Sequence, residues 1–368
     1  MVKDVKSRNF IIGVIGTGTM GRGIAQIAAA GGFNVKIFDE QQGAAENAET
    51  FIHRMISRSA EKGQVSIKEA ELACCRIEIV EKLSDFADCG LIIEAIVEDL
   101  DTRQNLFKEL ETFITADAIL ASNTSSLSIT QIAAGCTRPE RVAGYHFFNP
   151  VPLLKVVEIV DGQVTAGWVS EQLETIAFRC GHEPVRTQDA PGFLVNHAGR
   201  GLYTEGIRIL AEGIAKPYQI DDVLREGGAG FRMGPFELMD TTGLDVSGVV
   251  MESIYNQFYQ EPRFKPQAFI KNRMSAGLFG RKTGKGFYQY EENKKVEIPE
   301  SRIKTELPES VWVPLDERGD SRVLIDYLKG FVEVENGDKP SPKAICMVTP
   351  FGHDATMMAC MRGHADVL

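Results

Sequence analysis

Apolar runs alternate with helical periodicities through the first 190 residues, a glycine-rich turn separates the first strand from the first helix, and residues 191–290 carry helical spacing alone. These observations predict an α/β protein with a doubly wound N-terminal sheet, then an all-helical domain, then a partial α/β tail. Residues 10–15 are a short apolar run rich in β-branched side chains, residues 16–21 break it, and residues 24–30 read as a helix with small residues on its packing face. Gly31 and Gly32 end that helix, and residues 35–38 form a second strand that stops at Asp39. One such βαβ unit implies a parallel sheet with a right-handed crossover. A polar helix is expected over 44–62, further helices over 102–113 and near 129–134, and strands over 91–95, 119–121, 141–148 and 155–160. The first domain is placed at 1–190, ending at the Pro191-Gly192 break.

Within 191–290, Leu194, Leu202, Ile207 and Leu210 recur at helical spacing, and helical patterns return over 221–225 and 246–258. Residues 291–310 are charged, hold two prolines and read as a linker. Residues 311–368 return to α/β patterning, with strands expected at 311–313, 331–334 and 344–348 and a helix at 321–328. This tail looks like the opening half of an added α/β unit, truncated at Leu368 or degenerate; a non-catalytic extension packed on the helical domain is the alternative.

Composition excludes several function classes. The 368 residues carry 40 basic and 51 acidic side chains, a net charge of −11, so the chain has no general attraction for nucleic acid or an anionic membrane. The charged start is no secretory signal, and Glu94 and Glu98 interrupt the apolar stretch over 91–100, so no membrane span is expected. Seven cysteines, with one vicinal pair and no C-x-x-C, argue against a disulfide framework and a zinc site. Reduced thiols, a cytoplasmic location and no metal are expected.

Gly16-Thr17-Gly18-Thr19-Met20-Gly21 fits G-x-G-x-x-G after a strand and at the start of a helix, and Asp39 ends the next strand where a Rossmann-type dinucleotide fingerprint has an acid. Gly16 makes the tight turn, Gly18 lets the backbone approach a pyrophosphate, and Gly21 lets helix and strand pack closely. The pyrophosphate would sit on the helix N-terminus. Asp39 would accept from the adenine ribose hydroxyls and, with Glu40, repel a 2′-phosphate, which favours NAD over NADP.

The polar run Ser122-Asn123-Thr124-Ser125-Ser126 follows a strand, at the end where open α/β sheets bind ligands. His146 lies near the end of another apolar strand, before Asn149 and the turn-forming Pro150 and Pro152. Glu158 sits between Val157 and Ile159, so it is expected to be buried and to need a partner. His146 across the turn is one candidate; Lys155 is another. A His–Glu pair suits alcohol oxidation, with the histidine removing the hydroxyl proton and the carboxylate orienting the ring. A core histidine satisfied by a carbonyl remains the alternative.

Residues 10–290 resemble the 3-hydroxyacyl-CoA dehydrogenase family. The resemblance is carried by residues 16–21, Glu94-Ala95-Ile96-Val97-Glu98, residues 122–126, and His146 through Pro150 with Glu158. Further along it rests on Pro191-Gly192-Phe193-Leu194-Val195-Asn196, Gly234-Pro235-Phe236-Glu237-Leu238, and residues 280–284 with Phe287-Tyr288. It implies oxidation of (S)-3-hydroxyacyl-CoA to 3-oxoacyl-CoA with NAD, and a homodimer formed through residues 191–290. His146 then matches the catalytic base and Glu158 its partner. Ser125 and Asn196 match the residues holding the substrate's 3-oxygen and thioester region. Glu98 matches a residue near the nicotinamide ribose, and Arg103 and Asn149 count with the cofactor residues. Ser125, His146 and Asn196 would meet at the interface of the first two domains, a usual place for a ligand cleft. Read without the resemblance, Asn196 is an N-terminal helix cap.

Two other activities share the fold: a dehydrogenase of free 3-hydroxy acids, and a non-catalytic NAD-binding protein. Longer relatives, including 3-hydroxyadipyl-CoA dehydrogenases of phenylacetate breakdown, carry added C-terminal domains, and residues 257–264 look more like those bacterial members. Gly227-Gly228-Ala229-Gly230 reads as a helix-ending turn, because no strand precedes it. Arg281 and Lys282 fit either a phosphate contact or a solvated basic turn.

Overall fold

Eight strands form the first sheet, and its order follows from how the chain alternates. We describe residues 5, 7, 9–227, 230–296, 307–315, 319–349 and 355–362 in a computed structural model. The chain divides into two compact units, Met1–Val296 and Glu297–Leu368.

The first unit begins β1 (Ile11–Ile15), α1 (Thr19–Ala30), β2 (Asn34–Phe38), α2 (Ala44–Glu61), α3 (Ile67–Cys74), β3 (Ile77–Ile79) and β4 (Leu91–Glu94). There follow α4 (Leu100–Leu110), β5 (Ile119–Ser122), α5 (Ile129–Ala133), β6 (Val142–Phe147), β7 (Val156–Asp161), α6 (Gly167–Arg179) and β8 (Glu183–Gln188). The strand order is β3-β2-β1-β4-β5-β6-β7-β8. All pairs are parallel except β6 and β7, which form an antiparallel pair. The order reverses between β1 and β4, so the crevice at their carboxyl ends is the switch point where such sheets bind ligands.

The central strands are buried on both faces, as parallel sheets require. Ile12, Val14, Leu91 and Ile93 pack into one apolar layer with Ile24 and Ala28 of α1. Ile92, Leu120 and Val160 point the other way, onto Phe107 and Ile132. This two-residue alternation is the pleat of the strand.

Several elements differ from expectation. α1 starts at Thr19, because the glycine loop runs straight into the helix. α3, β3, α6 and β8 were not expected. The start of α3 does carry a signal: Ser66 and Glu69 form a capping box, with Glu69 N donating to Ser66 Oγ at 3.2 Å and Ser66 N to Glu69 Oε2 at 2.9 Å. β8 is a partly polar edge strand holding Pro184, a composition tolerated at an edge but weak as a strand signal.

The chain continues as α7 (Val195–Ala198), α8 (Arg200–Ala211), α9 (Pro217–Glu226), α10 (Pro235–Thr242), α11 (Leu244–Gln257) and α12 (Ala268–Ser275). Ile207, Phe236, Met239, Leu244 and Met251 form their core. The region is helical, as expected, and at its end β9 (Tyr290–Glu291) and β10 (Lys294–Lys295) make a short hairpin around Glu292 and Asn293, both at positive φ. The hairpin occupies the start of the stretch expected as a linker, and residues 297–306 lie outside the described residues. Gly227 caps α9, in keeping with a helix-ending turn; Gly228 and Ala229 also lie outside the described residues.

The second unit holds β11 (Ser310–Trp312), α13 (Asp320–Leu328), β12 (Glu333–Glu335), β13 (Ile345–Cys346) and α14 (Ala355–Arg362). Its three strands pair in parallel in the order β12-β11-β13, over a small core of Val311, Val313 and Ile325. Among the described residues of the chain no helix is long and apolar enough to cross a membrane.

Candidate active site

At the end of β1 the three loop glycines have three different surroundings. Gly16 has φ +85°, and a Cβ there would lie 2.7 Å from the Ala95 carbonyl oxygen. A Cβ on Gly21 would lie 1.7 Å from the Gly16 carbonyl oxygen, so α1 packs against the loop only because Gly21 has no side chain. A Cβ on Gly18 would meet nothing within 4 Å. Gly18 is the N-cap of α1 and no side chain caps it, which leaves first-turn amides to a ligand.

Asp39 Oδ2 accepts from Thr17 N at 2.6 Å and Thr17 Oγ1 at 2.9 Å, and Oδ1 accepts from Gln41 N at 3.0 Å. Partial burial raises its pKa, but these hydrogen bonds outweigh burial and hold the carboxyl below its ordinary value. It is therefore ionised at neutral pH, with lone pairs left for a diol. An uncapped helix start, an open Gly18 and an ionised Asp39 fit a dinucleotide.

At the end of β4 a buried network fixes the neighbouring loops. The Arg103 guanidinium donates to Glu94 Oε1 and Ser122 Oγ, each at 2.8 Å, and to Glu98 Oε2 at 2.6 Å, with the Val97 and Ile96 carbonyls taking further N–H groups. Glu94 is fully buried; desolvation pushes its carboxyl pKa up against Arg103 and the Ser122 hydroxyl. Glu98 Oε1 accepts from Thr124 Oγ1 at 2.6 Å, Ser125 N at 3.2 Å, Ser126 N at 3.1 Å and Ser126 Oγ at 2.9 Å. Arg103 thus holds the loop containing Ser125 through Glu98, and its own donors are occupied by protein. The sequence marked Glu98, Arg103 and Ser125 separately and did not show that they are linked.

His146 and Glu158 are direct partners in the β6–β7 register. His146 Nδ1 lies 2.5 Å from Glu158 Oε2. Glu158 is fully buried, and its Oε1 accepts from Leu194 N and Val195 N, each at 2.8 Å. These amides arrive through a reversal at Gly192 (φ 78°) and Phe193 (φ 49°), both in the left-handed region. Lys155 is exposed and takes no part. Sequence reading found the pair but not the amides; only the glycine break at Pro191-Gly192 hinted at a sharp turn there.

One cavity of about 370 Å³ gathers Met20, Glu98, Arg103, Ser125, His146, Asn149 and Asn196. His146 Nε2 has no hydrogen-bond partner among the described residues. Asn196 lies inside α7 and does not cap it, which corrects the helix-cap reading. Arg200 and Tyr203 of α8 also line the cavity, as do Thr242, Val246 and Ser247; the sequence offered no signal for these.

The remaining motifs have structural partners. Asp221 accepts from the Phe236 and Glu237 amides at 3.0 and 2.9 Å and from the Tyr288 hydroxyl at 2.6 Å. Asp240 accepts from the Phe287 and Tyr288 amides, each at 2.9 Å. Residues 234–238 and 280–288 therefore tie the helical region together. Lys282 is exposed and pairs with Asp245 at 2.5 Å, whereas Arg281 is half-buried, with its Nε unpartnered and its Cζ 5.7 Å from the Tyr290 ring centroid.

The NAD binding domain model of 3-hydroxyacyl-CoA dehydrogenase matches residues 11–190, and the C-terminal domain model of the same enzyme matches residues 192–290. The chain belongs to the 3-hydroxyacyl-CoA dehydrogenase family. It is 40% identical over 287 residues to 3-hydroxyadipyl-CoA dehydrogenase of Escherichia coli, covering 78% of this chain and 60% of that protein. It is 39% identical over 288 residues to the mitochondrial hydroxyacyl-coenzyme A dehydrogenase of Sus scrofa, 75% of this chain and 90% of that one. The crystal structure of (S)-3-hydroxybutyryl-CoA dehydrogenase from Ralstonia eutropha is similar with a TM-score of 0.74 at 34% identity, over 77% of this chain and 99% of that one. The aligned part spans about 60% of the length of the E. coli relative.

Proposed function

We propose that this 3-hydroxyacyl-CoA dehydrogenase family member catalyses reversible, NAD-dependent oxidation of (S)-3-hydroxyacyl-CoA to 3-oxoacyl-CoA. The observation that carries the reading is the His146–Glu158 pair, with Nε2 left free in a cavity that also holds Ser125 and Asn196. Bound NAD supplies a hydride acceptor, held by the α1 N-terminus, Gly16, Gly18, Thr19, Met20, Gly21 and Asp39. Arg103 acts by fixing Glu98, and Asn149, which lines the cavity, contributes to the cofactor's site.

His146 takes the hydroxyl proton at Nε2, and Glu158 accepts from Nδ1–H. That hydrogen bond fixes the tautomer in which Nε2 carries the lone pair, and it stabilises the imidazolium that forms. Two backbone amides keep the other oxygen of Glu158 satisfied, so its charge stays buried at tolerable cost. Ser125 Oγ donates to the substrate's 3-oxygen, and Asn196 holds the thioester region. In the reductive direction the imidazolium returns its proton to the oxygen.

A cytoplasmic location and a homodimer through residues 191–290 belong to the same proposal. Ile214, Val223 and Val249 are exposed apolar residues in that region. Light scattering on the eluting protein is expected to give twice the chain mass; a monomer at micromolar concentration contradicts it.

NADH consumption with acetoacetyl-CoA and with acetoacetate tests the reaction class. Fast oxidation with the thioester and little with the free acid is expected. Activity confined to the free acid supports the free-acid dehydrogenase instead, and no oxidation despite NADH binding supports a non-catalytic role.

A further inference from the structure

Among the described residues of the first unit, three arginines are almost completely buried: Arg103, Arg141 and Arg200, each 2% exposed. Arg103 is paired with Glu94 and Glu98, and Arg141 with Glu111 at 3.0 Å. Arg200 has no carboxylate within ion-pair distance among the described residues, and its Nε has no hydrogen-bond partner. The Tyr203 ring lies 5.2 Å from its Cζ. Burial lowers the affinity of Arg200 for its proton, yet an arginine remains charged inside proteins. A buried, unpaired cation is strongly unfavourable, so this position lacks a counter-charge.

Arg200 lines the catalytic cavity. It follows Asn196 by four residues across the join of α7 and α8, where Gly199 keeps right-handed helical geometry, so the two share a face. The missing anion therefore sits about one helical turn, roughly 5.4 Å of rise, from the residue assigned to the thioester region. The NAD pyrophosphate belongs at the N-terminus of α1. The phosphates of coenzyme A are separated from the thioester by the whole pantetheine arm. What remains is a charge on the acyl group itself.

We propose that Arg200 binds a second carboxylate at the far end of the substrate's acyl group, so that the preferred substrate is a 3-hydroxydicarboxylic acyl-CoA. This rests on the acyl-CoA reading above. A free 3-hydroxy acid would present the same carboxylate chemistry from its first carbon, and the assay separates the two sources.

The full-length protein is assayed by NADH consumption with 3-oxoadipyl-CoA, with 3-oxohexanoyl-CoA of equal chain length, and with free 3-oxohexanoate. The wild type is expected to prefer the dicarboxylic thioester in kcat/KM by about a hundredfold or more, since a site built for a polar group rejects an analogue lacking it. Arg200→Met is expected to collapse that ratio toward one, chiefly by raising KM for 3-oxoadipyl-CoA, and Arg200→Lys to keep part of it. Equal use of the two thioesters by the wild type overturns the proposal, as does an Arg200→Met variant that keeps the wild-type ratio. An Arg200-dependent preference for the free acid also overturns it. Should Arg200→Met fail to fold, competition in the wild type decides: adipate inhibiting no better than hexanoate counts against the proposal. Absence of turnover with either thioester defeats the underlying acyl-CoA reading, whereas turnover without preference defeats only the role of Arg200.

Discussion

Glu158 shows how much one carboxylate can fix. One oxygen faces His146 Nδ1 and the other accepts two amides from the Gly192–Phe193 reversal. In Glu158→Gln the side-chain amide must point its NH2 group one way or the other. Pointed at Nδ1, it stabilises the tautomer protonated on Nε2, which cannot act as the base. Pointed at Leu194 and Val195, it sets donor against donor and orphans two amides, each at about 1–3 kcal/mol. Activity is expected to fall by roughly 10²–10⁴-fold in kcat with NADH affinity kept, measured by steady-state kinetics and fluorescence titration. At the same scale, Arg103→Met removes the partner of buried Glu94. A loss of about 3–5 kcal/mol in chemical denaturation is expected; a loss under 1 kcal/mol would mean the network is dispensable. The His146–Glu158 pair was legible because a buried acid between apolar neighbours, beside a two-proline turn, has few partners to choose from. The Arg103 network was not, since its members come from β4, α4 and the loop after β5, and only the sheet order brings them together.

The glycine loop and α1 behave as one element, and the three glycines allow separable predictions. Gly21→Ala places a methyl group 1.7 Å from the Gly16 carbonyl oxygen, so both the melting temperature and NADH affinity should drop. Gly18→Ala meets no protein atom within 4 Å, so the fold should tolerate it while NADH affinity falls, because the methyl group takes space assigned to the pyrophosphate. Thermal melts beside NADH titrations check the pair; equal behaviour of the two variants would count against this division of roles. Elements with strong apolar periodicity, such as β1, β2 and β4, were readable from the chain. α3 announced itself only by its capping box. α6 mixes apolar residues with exposed polar ones, and β8 is a partly polar edge strand, so neither gave a clear period.

The apolar cores divide with the two compact units. The clusters around Ile12, Ile92 and Phe236 all lie before Val296, and the cluster around Val311 lies wholly after it. Every residue lining the cavity that holds His146 also belongs to the first unit. A fragment ending at Val296 is therefore expected to fold and to keep NADH binding and thioester reduction, measured against the full chain by melting and activity; an insoluble or inactive fragment would show that the second unit is needed. The α/β character of the tail could be read from its short β-branched runs. The β9–β10 hairpin at the start of the charged stretch could not, because its strands are too short to show alternation.

In the proposed reaction His146, oriented by Glu158, moves the proton in 3-hydroxyacyl-CoA oxidation. The most direct test compares acetoacetyl-CoA-dependent NADH consumption by the wild type and by His146→Gln. Rapid turnover is expected in the wild type and a loss of about 10²–10⁴-fold in kcat in the variant, with NADH affinity and melting temperature preserved. Comparable turnover by the two proteins would contradict this role for His146.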